Sequence, residues 1–152
     1  LIDSHEDIVA IPWIVERENA EAELNTEPKN TRMIVNHDQD IDCLVGVVEG
    51  RLDMPAVQQY VHQVVREARL RECTCIVSDL RGAELDLSTI EIYGLPGLLD
   101  RMGFGRPWCG ALVVSGDTED FKFLETVAYN RGFRLRVFND IGRAMEWVVA
   151  NR

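Results

Sequence analysis

The residues able to do chemistry in this chain fall into three groups. The first is a set of acids and hydroxyls. Asp79, Ser115, Asp117 and Asp140 stand at or beside the ends of short apolar runs, and open parallel sheets bind ligands outside the carboxyl ends of their strands. Acids beside a hydroxyl could hold Mg²⁺ for phosphoryl chemistry, but that chemistry also asks for a lysine, and the chain has only Lys29 and Lys122. Asp117 and Asp140 are accounted for as helix caps. The second group is thiols and imidazoles. Cys73-x-Cys75 is not a Cys-x-x-Cys pair, and His5, His37 and His62 have no metal-ligand spacing. Cys43, Cys73, Cys75 and Cys109 lie in or beside apolar stretches and are expected as buried, reduced thiols of a cytoplasmic protein. The third group is basic. Arg101 and Arg106 flank the loop from Gly103 to Gly105 and offer a grip for an anion. Arg131, Arg134 and Arg136 form a strip suited to an acidic partner or to the chain's own acidic end. With no Gly-x-Gly-x-x-Gly after a strand and no Walker loop, the expectation is no catalytic residue, no metal and no cofactor. Asp79, Arg81, Ser115, Asp117 and Arg106 are the candidate ligand or partner surface.

The carrier of these residues is a chain of 152 amino acids, 46% hydrophobic and 28% charged. That length and composition fit a soluble single domain with a full core. A net charge of −10 argues against general nucleic-acid binding. The longest apolar run, from Ile8 to Val15, is far short of the ~20 residues that span a bilayer. The charge is uneven. Residues 1–30 carry a net −6 and the rest only −4, so the chain divides into an acidic N-terminal arm, 1–30, and a domain, 31–152. The arm could place Ile8 to Val15 as a strand, which Pro12 confines to an edge. Trp13 there is an association hazard if left bare, which suggests a homodimer through residues 1–30. A chain opening on Leu1 is expected to be a trimmed product or a fragment.

The elements that must position the candidate residues follow from periodicity. Met33 to His37 and Cys43 to Glu49, joined by an acidic turn, predict an antiparallel hairpin. Asp53 and Pro55 open a helix over 54–70, with Val57, Tyr60, Val61, Val64, Val65 and Ala68 on one face. Cys75 to Leu80 predicts a buried strand. Ser88 and Glu91 form a capping box for a helix over 89–102, which should kink or restart near Gly94 and Pro96. Ala111 to Ser115 is a strand, Asp117 caps a helix over 118–131, Leu135 and Val137 mark a strand, and Asp140 caps a helix over 141–150. The fold class is therefore α/β, a mostly parallel sheet of four or five strands built from four βα units with an antiparallel edge strand. Val77, Leu80, Leu112, Val114, Phe121, Leu124, Val137 and Trp147 are the expected core.

The stretch from Cys75 to Leu99 (CIVSDLRGAELDLSTIEIYGLPGLL) resembles the third strand and second helix of STAS domains, the fold of the anti-sigma factor antagonists. Val47 to Val148 resembles the SpoIIAA-like branch of that superfamily, through Asp79-Leu-Arg-Gly-Ala83, Asp86-Leu-Ser-Thr89, Ala111-Leu-Val-Val-Ser115 and Arg136-Val-Phe-Asn-Asp140. The resemblance implies a hydroxyl phosphorylated by a partner kinase at the start of the second helix, here Ser88 or Thr89. Leu87 and Ile90 stand where those antagonists usually have an acidic residue and a glycine, and Ser88 is equally explained as a cap. The resemblance implies a non-catalytic regulatory or protein-interaction domain with a protein partner. The alternative is a small apolar-ligand or lipid-binding domain using the space between the sheet and residues 94–105. A cavity of ~300 Å³ or more would favour the alternative.

Overall fold

The computed structural model describes residues 31–152; the edge strand expected at Ile8 to Val15 and the homodimer contact of the arm lie outside the described residues. Five strands form one sheet in the order of the sequence. β1 (Arg32–Asp38) pairs antiparallel with β2 (Cys43–Leu52). β3 (Cys75–Leu85), β4 (Cys109–Val113) and β5 (Arg134–Phe138) continue in parallel. Between and after them come α1 (Met54–Arg71), α2 (Thr89–Arg101), α3 (Glu119–Asn130) and α4 (Ile141–Asn151).

The strand order dictates the layering. Each right-handed crossover moves one strand further in the same direction, so all three connecting helices land on one face of the sheet. Tyr60 and Val61 of α1, Leu95 and Leu99 of α2 and Phe121 and Leu124 of α3 meet Ile76, Ser78 and Leu112 there. α4 connects nothing. It folds back over the opposite face and packs on β3, β4 and β5, burying Ala144 and Val148 with Val77, Ala111 and Val113. Ile34 and Val47, in register with each other on that side, remain 48% and 37% exposed.

The helix starts are read directly from the sequence. The Asp53 carboxylate accepts from the Ala56 N–H at 3.0 Å. The Ser88 hydroxyl accepts from the Glu91 N–H at 3.2 Å, and the Glu91 carboxylate accepts from the Ser88 N–H at 2.8 Å, completing the capping box. Asp140 caps α4 through the Gly142 N–H.

Four expectations are corrected. Thr118, not Asp117, is the N-cap of α3, and its side chain makes no capping bond; Asp117 stands one residue outside and accepts from the Glu119 N–H at 3.2 Å. α2 does not restart near Gly94 and Pro96 but runs through both. The proline removes one N–H from the helix ladder, and its fully buried ring returns packing in exchange. β3 extends five residues past Leu80, because its polar continuation pairs with the end of β2, Glu49 to Leu52. Leu112, Val137 and Trp147 are half-buried rather than core. Val137 lies on the edge strand with a neighbour on one side only, Leu112 is in register beside it, and Trp147 leans over the same edge against Phe138 at 5.8 Å between ring centres. Val77, Leu80, Val114, Phe121 and Leu124 are buried as expected.

Candidate functional site

The strand extension and a bulge shape the rim where the candidate residues gather. Val47 faces Asp79, but Glu49 faces Gly82, so β3 carries one residue more than β2 across this interval. A bulge of this kind bends a strand and re-aims its side chains. Here it lets Arg81 turn back on Asp79. The guanidinium donates through Nε to one carboxylate oxygen at 2.9 Å and through Nη2 to the other at 2.7 Å, and the Arg81 N–H adds a third bond at 3.1 Å. These bonds hold the Asp79 carboxyl below the usual carboxylate range against the opposing effect of burial. Ser115, just past β4, donates its hydroxyl to the Arg81 carbonyl at 3.1 Å. The structure therefore brings Asp79 and Arg81, midway along β3, together with Ser115 at the carboxyl end of β4. Asp117 follows in the loop after β4, tied to the Glu119 N–H. Arg106 does not join them. It precedes β4 and lies near Gly132, ahead of β5, at the amino ends of the strands.

Beside this rim an open depression of about 940 Å³ lies over the ends of β4 and β5, with Lys122, Arg136 and Arg143 among its walls. Arg136 also stands 5.5 Å from the Phe138 ring centre. The space between the sheet and the three helices is apolar and holds only about 90 Å³. Ligand pockets usually run from roughly 300 Å³ upward. Among the described residues no group of three or more His, Cys, Asp and Glu is arranged to hold a metal ion, and no helix is long and apolar enough to cross a membrane.

The hydroxyl pair at α2 stands apart from the rim. Ser88 and Thr89 are both exposed. Ser88 is engaged as the cap, whereas the Thr89 hydroxyl makes no hydrogen bond among the described residues. The turn they open carries apolar side chains that the core does not use: Ile90 is 83% exposed and Tyr93 58%. Arg131, just past α3, stacks on Tyr93 with its guanidinium 4.6 Å from the ring centre, and Tyr129 nearby in sequence is 76% exposed. Ile90 and Tyr93 escaped the sequence reading as site residues. Their signal was present in the spacing, since they lie off the stripe of Ile92, Leu95 and Leu99 that the same helix buries.

No family model matches the sequence, and no curated protein matches it. Solved structures do, two of them as follows. An anti-sigma factor antagonist from Mycobacterium paratuberculosis is 20% identical and aligns over 78% of this chain and 93% of its own, with a TM-score of 0.53. An uncharacterized protein of the DUF3478 family from Shewanella loihica, described as having a SpoIIAA-like fold, is 16% identical over 78% and 93% of the two chains, with a TM-score of 0.50. The strand order, the antiparallel first strand and the four helices agree with that likeness, and the chain has a SpoIIAA-like fold.

Proposed function

We propose that this chain is a non-catalytic STAS-like regulatory domain that binds another protein through the first turns of α2. The observation that carries the reading is the exposed pair Ile90 and Tyr93, set on the turn that Ser88 caps. Exposed apolar and aromatic side chains grouped on one helix are what a protein partner buries at the centre of an interface. The rim offers less, because Asp79, Arg81 and Ser115 bond one another. The antagonists of this fold are named for action against another protein, an anti-sigma factor. The small interior volume supports a protein rather than a small apolar ligand as partner.

Ser88 and Thr89 are the candidate control point. A phosphoryl group adds about −1.5 to −2 charges. On Ser88 it would stand against the Glu91 carboxylate, now bonded to the Ser88 N–H, and repulsion would open the capping box. On Thr89 it would meet the helix N-terminus, whose dipole favours an anion, and would screen Ile90 from a partner. The test compares the wild type with the Ile90→Asp/Tyr93→Ser double variant in pull-downs from the source cells, after confirming equal cooperative melting. Loss of specific partners from the variant is expected. An identical partner set for both proteins overturns the reading.

A further inference from the structure

The four cysteines, scattered through the sequence, converge at the amino ends of the parallel strands. Cys43 opens β2, Cys75 opens β3 and Cys109 opens β4. Cys75 and Cys109 are in register. Leu44 and Ile76 are in register one step on, which places Cys43 beside Cys75. The three thiols therefore stand in a row across three strands, on the face that α4 covers, and Cys73 joins them from the residues before β3. All four are buried and unpaired as disulfides.

Cys75 is the hub. Its sulfur donates to the Asp42 carbonyl at 3.3 Å, and the register of β2 on β3 sets the Cys43 thiol beside it. Cys73 also reaches the Cys75 carbonyl at 3.5 Å. Packing alone does not require this. Two residues along the same strands the positions are filled by Val77 and Ala111, and a buried thiol serves the core as a small apolar group no better than they do. Two arginines border the row. Arg152 donates to the same Asp42 carbonyl at 3.4 Å, and Arg134 ties the Pro107 and Asn151 carbonyls together beside Cys109.

We propose that Cys43 and Cys75 are a redox pair that a peroxide converts to a disulfide across the β2–β3 seam and that a small thiol reductant reopens. Adjacent strands lie about 4.7–4.9 Å apart, inside the usual disulfide range of about 4.4–6.8 Å between Cα atoms. The register of β2 on β3 supplies the approach the bond needs. Cys75 is the attacking group. The hydrogen bond from Cys43, helped by Cys73 and by the charge of Arg152, lowers its thiol to about 7 despite burial. The Cys43 thiol is pushed up, chiefly by the same hydrogen bond to Cys75 and by burial, so it supplies the proton of that bond.

The electrons and atoms balance with the peroxide as oxidant. The Cys75 thiolate attacks one peroxide oxygen and the O–O bond breaks. The other oxygen leaves as hydroxide and takes a proton to become water, and Cys75 becomes a sulfenic acid. The Cys43 sulfur then attacks the Cys75 sulfur. The S–O bond breaks, the S–S bond forms, and the Cys43 proton leaves with the hydroxide as a second water. Two electrons pass from the two thiols to the peroxide. Reduction runs by thiol–disulfide exchange with two equivalents of a small thiol.

The test treats the full chain with a small excess of hydrogen peroxide and follows intact mass and a non-reducing peptide map. A loss of about 2 Da, the two hydrogens of one disulfide, with the Cys43 and Cys75 peptides linked in one chain and released by dithiothreitol, is expected. Cys43→Ala should abolish the loss and leave Cys75 trapped by a sulfenic-acid probe, and Cys109→Ala should leave the link intact. The wild-type map decides even if a variant fails to fold. An unlinked chain, a link from Cys75 to Cys73 or Cys109, or a link between two chains overturns the proposal.

Discussion

Tyr60 and Ser78 make a side chain to side chain hydrogen bond that lies wholly inside the described core. Their oxygens are 2.7 Å apart, with the serine 3% and the tyrosine 8% exposed. Burial pushes the phenol up, so it stays neutral, and Gly46 on β2 leaves the room it occupies. Removing one partner strands the other in an apolar cavity. Water offers no rescue, because the cavity is small and lined otherwise by apolar groups, and a buried water needs two to four polar partners. Tyr60→Phe and Ser78→Ala should therefore each cost about 1–3 kcal/mol, the usual penalty for an orphaned buried hydroxyl. The double variant removes both hydroxyls at nearly constant shape, so its loss should fall short of the sum of the two singles by roughly 1–3 kcal/mol. For a chain of this size each kcal/mol moves Tm by about 2–4 °C. Urea titrations of the four proteins, followed by tryptophan fluorescence, measure the cycle. Losses that add to within about 0.5 kcal/mol would refute the reasoning, because they would mean that neither oxygen depends on the other.

Two further outcomes follow from the same geometry. Gly46→Ala puts a Cβ 1.9 Å from the Tyr60 Oη and 2.8 Å from its Cζ, an overpacking that should cost about 1–3 kcal/mol; urea titration should show Tyr60→Phe recovering part of that loss, and no recovery would mean the clash lies elsewhere. Asp79 is held below its unfolded value by Arg81, so its contribution is present above the ordinary carboxylate range of about 4 and is lost as pH falls through the lower folded value. The urea midpoints of wild type and Asp79→Asn should differ near neutral pH and converge in acid, and a gap that stays constant down to about pH 2 would contradict the linkage.

What the sequence disclosed was local. The start of α2 was legible because Ser88 and Glu91 satisfy each other's backbone within four residues, and the four helix spans were readable because caps and apolar stripes are short-range signals. The extension of β3 was not, because Arg81, Gly82 and Glu84 are exposed and pair beyond the helices, so no apolar alternation marks them. Pro96 misled for a related reason: the penalty of the missing N–H is local, while the burial that offsets it comes from tertiary packing. Strand order is a tertiary property as well. With it unknown, Arg106 could not be separated from the rim of Asp79 and Ser115. Nor could Cys43, Cys75 and Cys109 be seen side by side. Their one sequence signal was that each begins or adjoins an apolar strand, which becomes a row only when those strands are neighbours.

The division of labour between rim and helix follows from where hydrogen-bonding capacity is already used. The Asp79 carboxylate has both oxygens on Arg81, Ser115 donates to the Arg81 carbonyl, and Asp117 is occupied by the Glu119 N–H. A reactant arriving there would have to displace bonds that also hold the bulge in shape. At the start of α2 the situation is reversed. The backbone is satisfied by the capping box, the Thr89 hydroxyl and the Ile90 side chain are left over, and Tyr93 carries the Arg131 guanidinium on an otherwise exposed ring. Groups that the fold does not consume can change partner without changing the fold. A charge added at Ser88 or Thr89 would act on an end whose stability rests on one reciprocal pair of bonds, while the buried stripe Ile92, Leu95 and Leu99 keeps the rest of the helix seated. That arrangement suits a domain whose surface is rewritten while its core stays fixed.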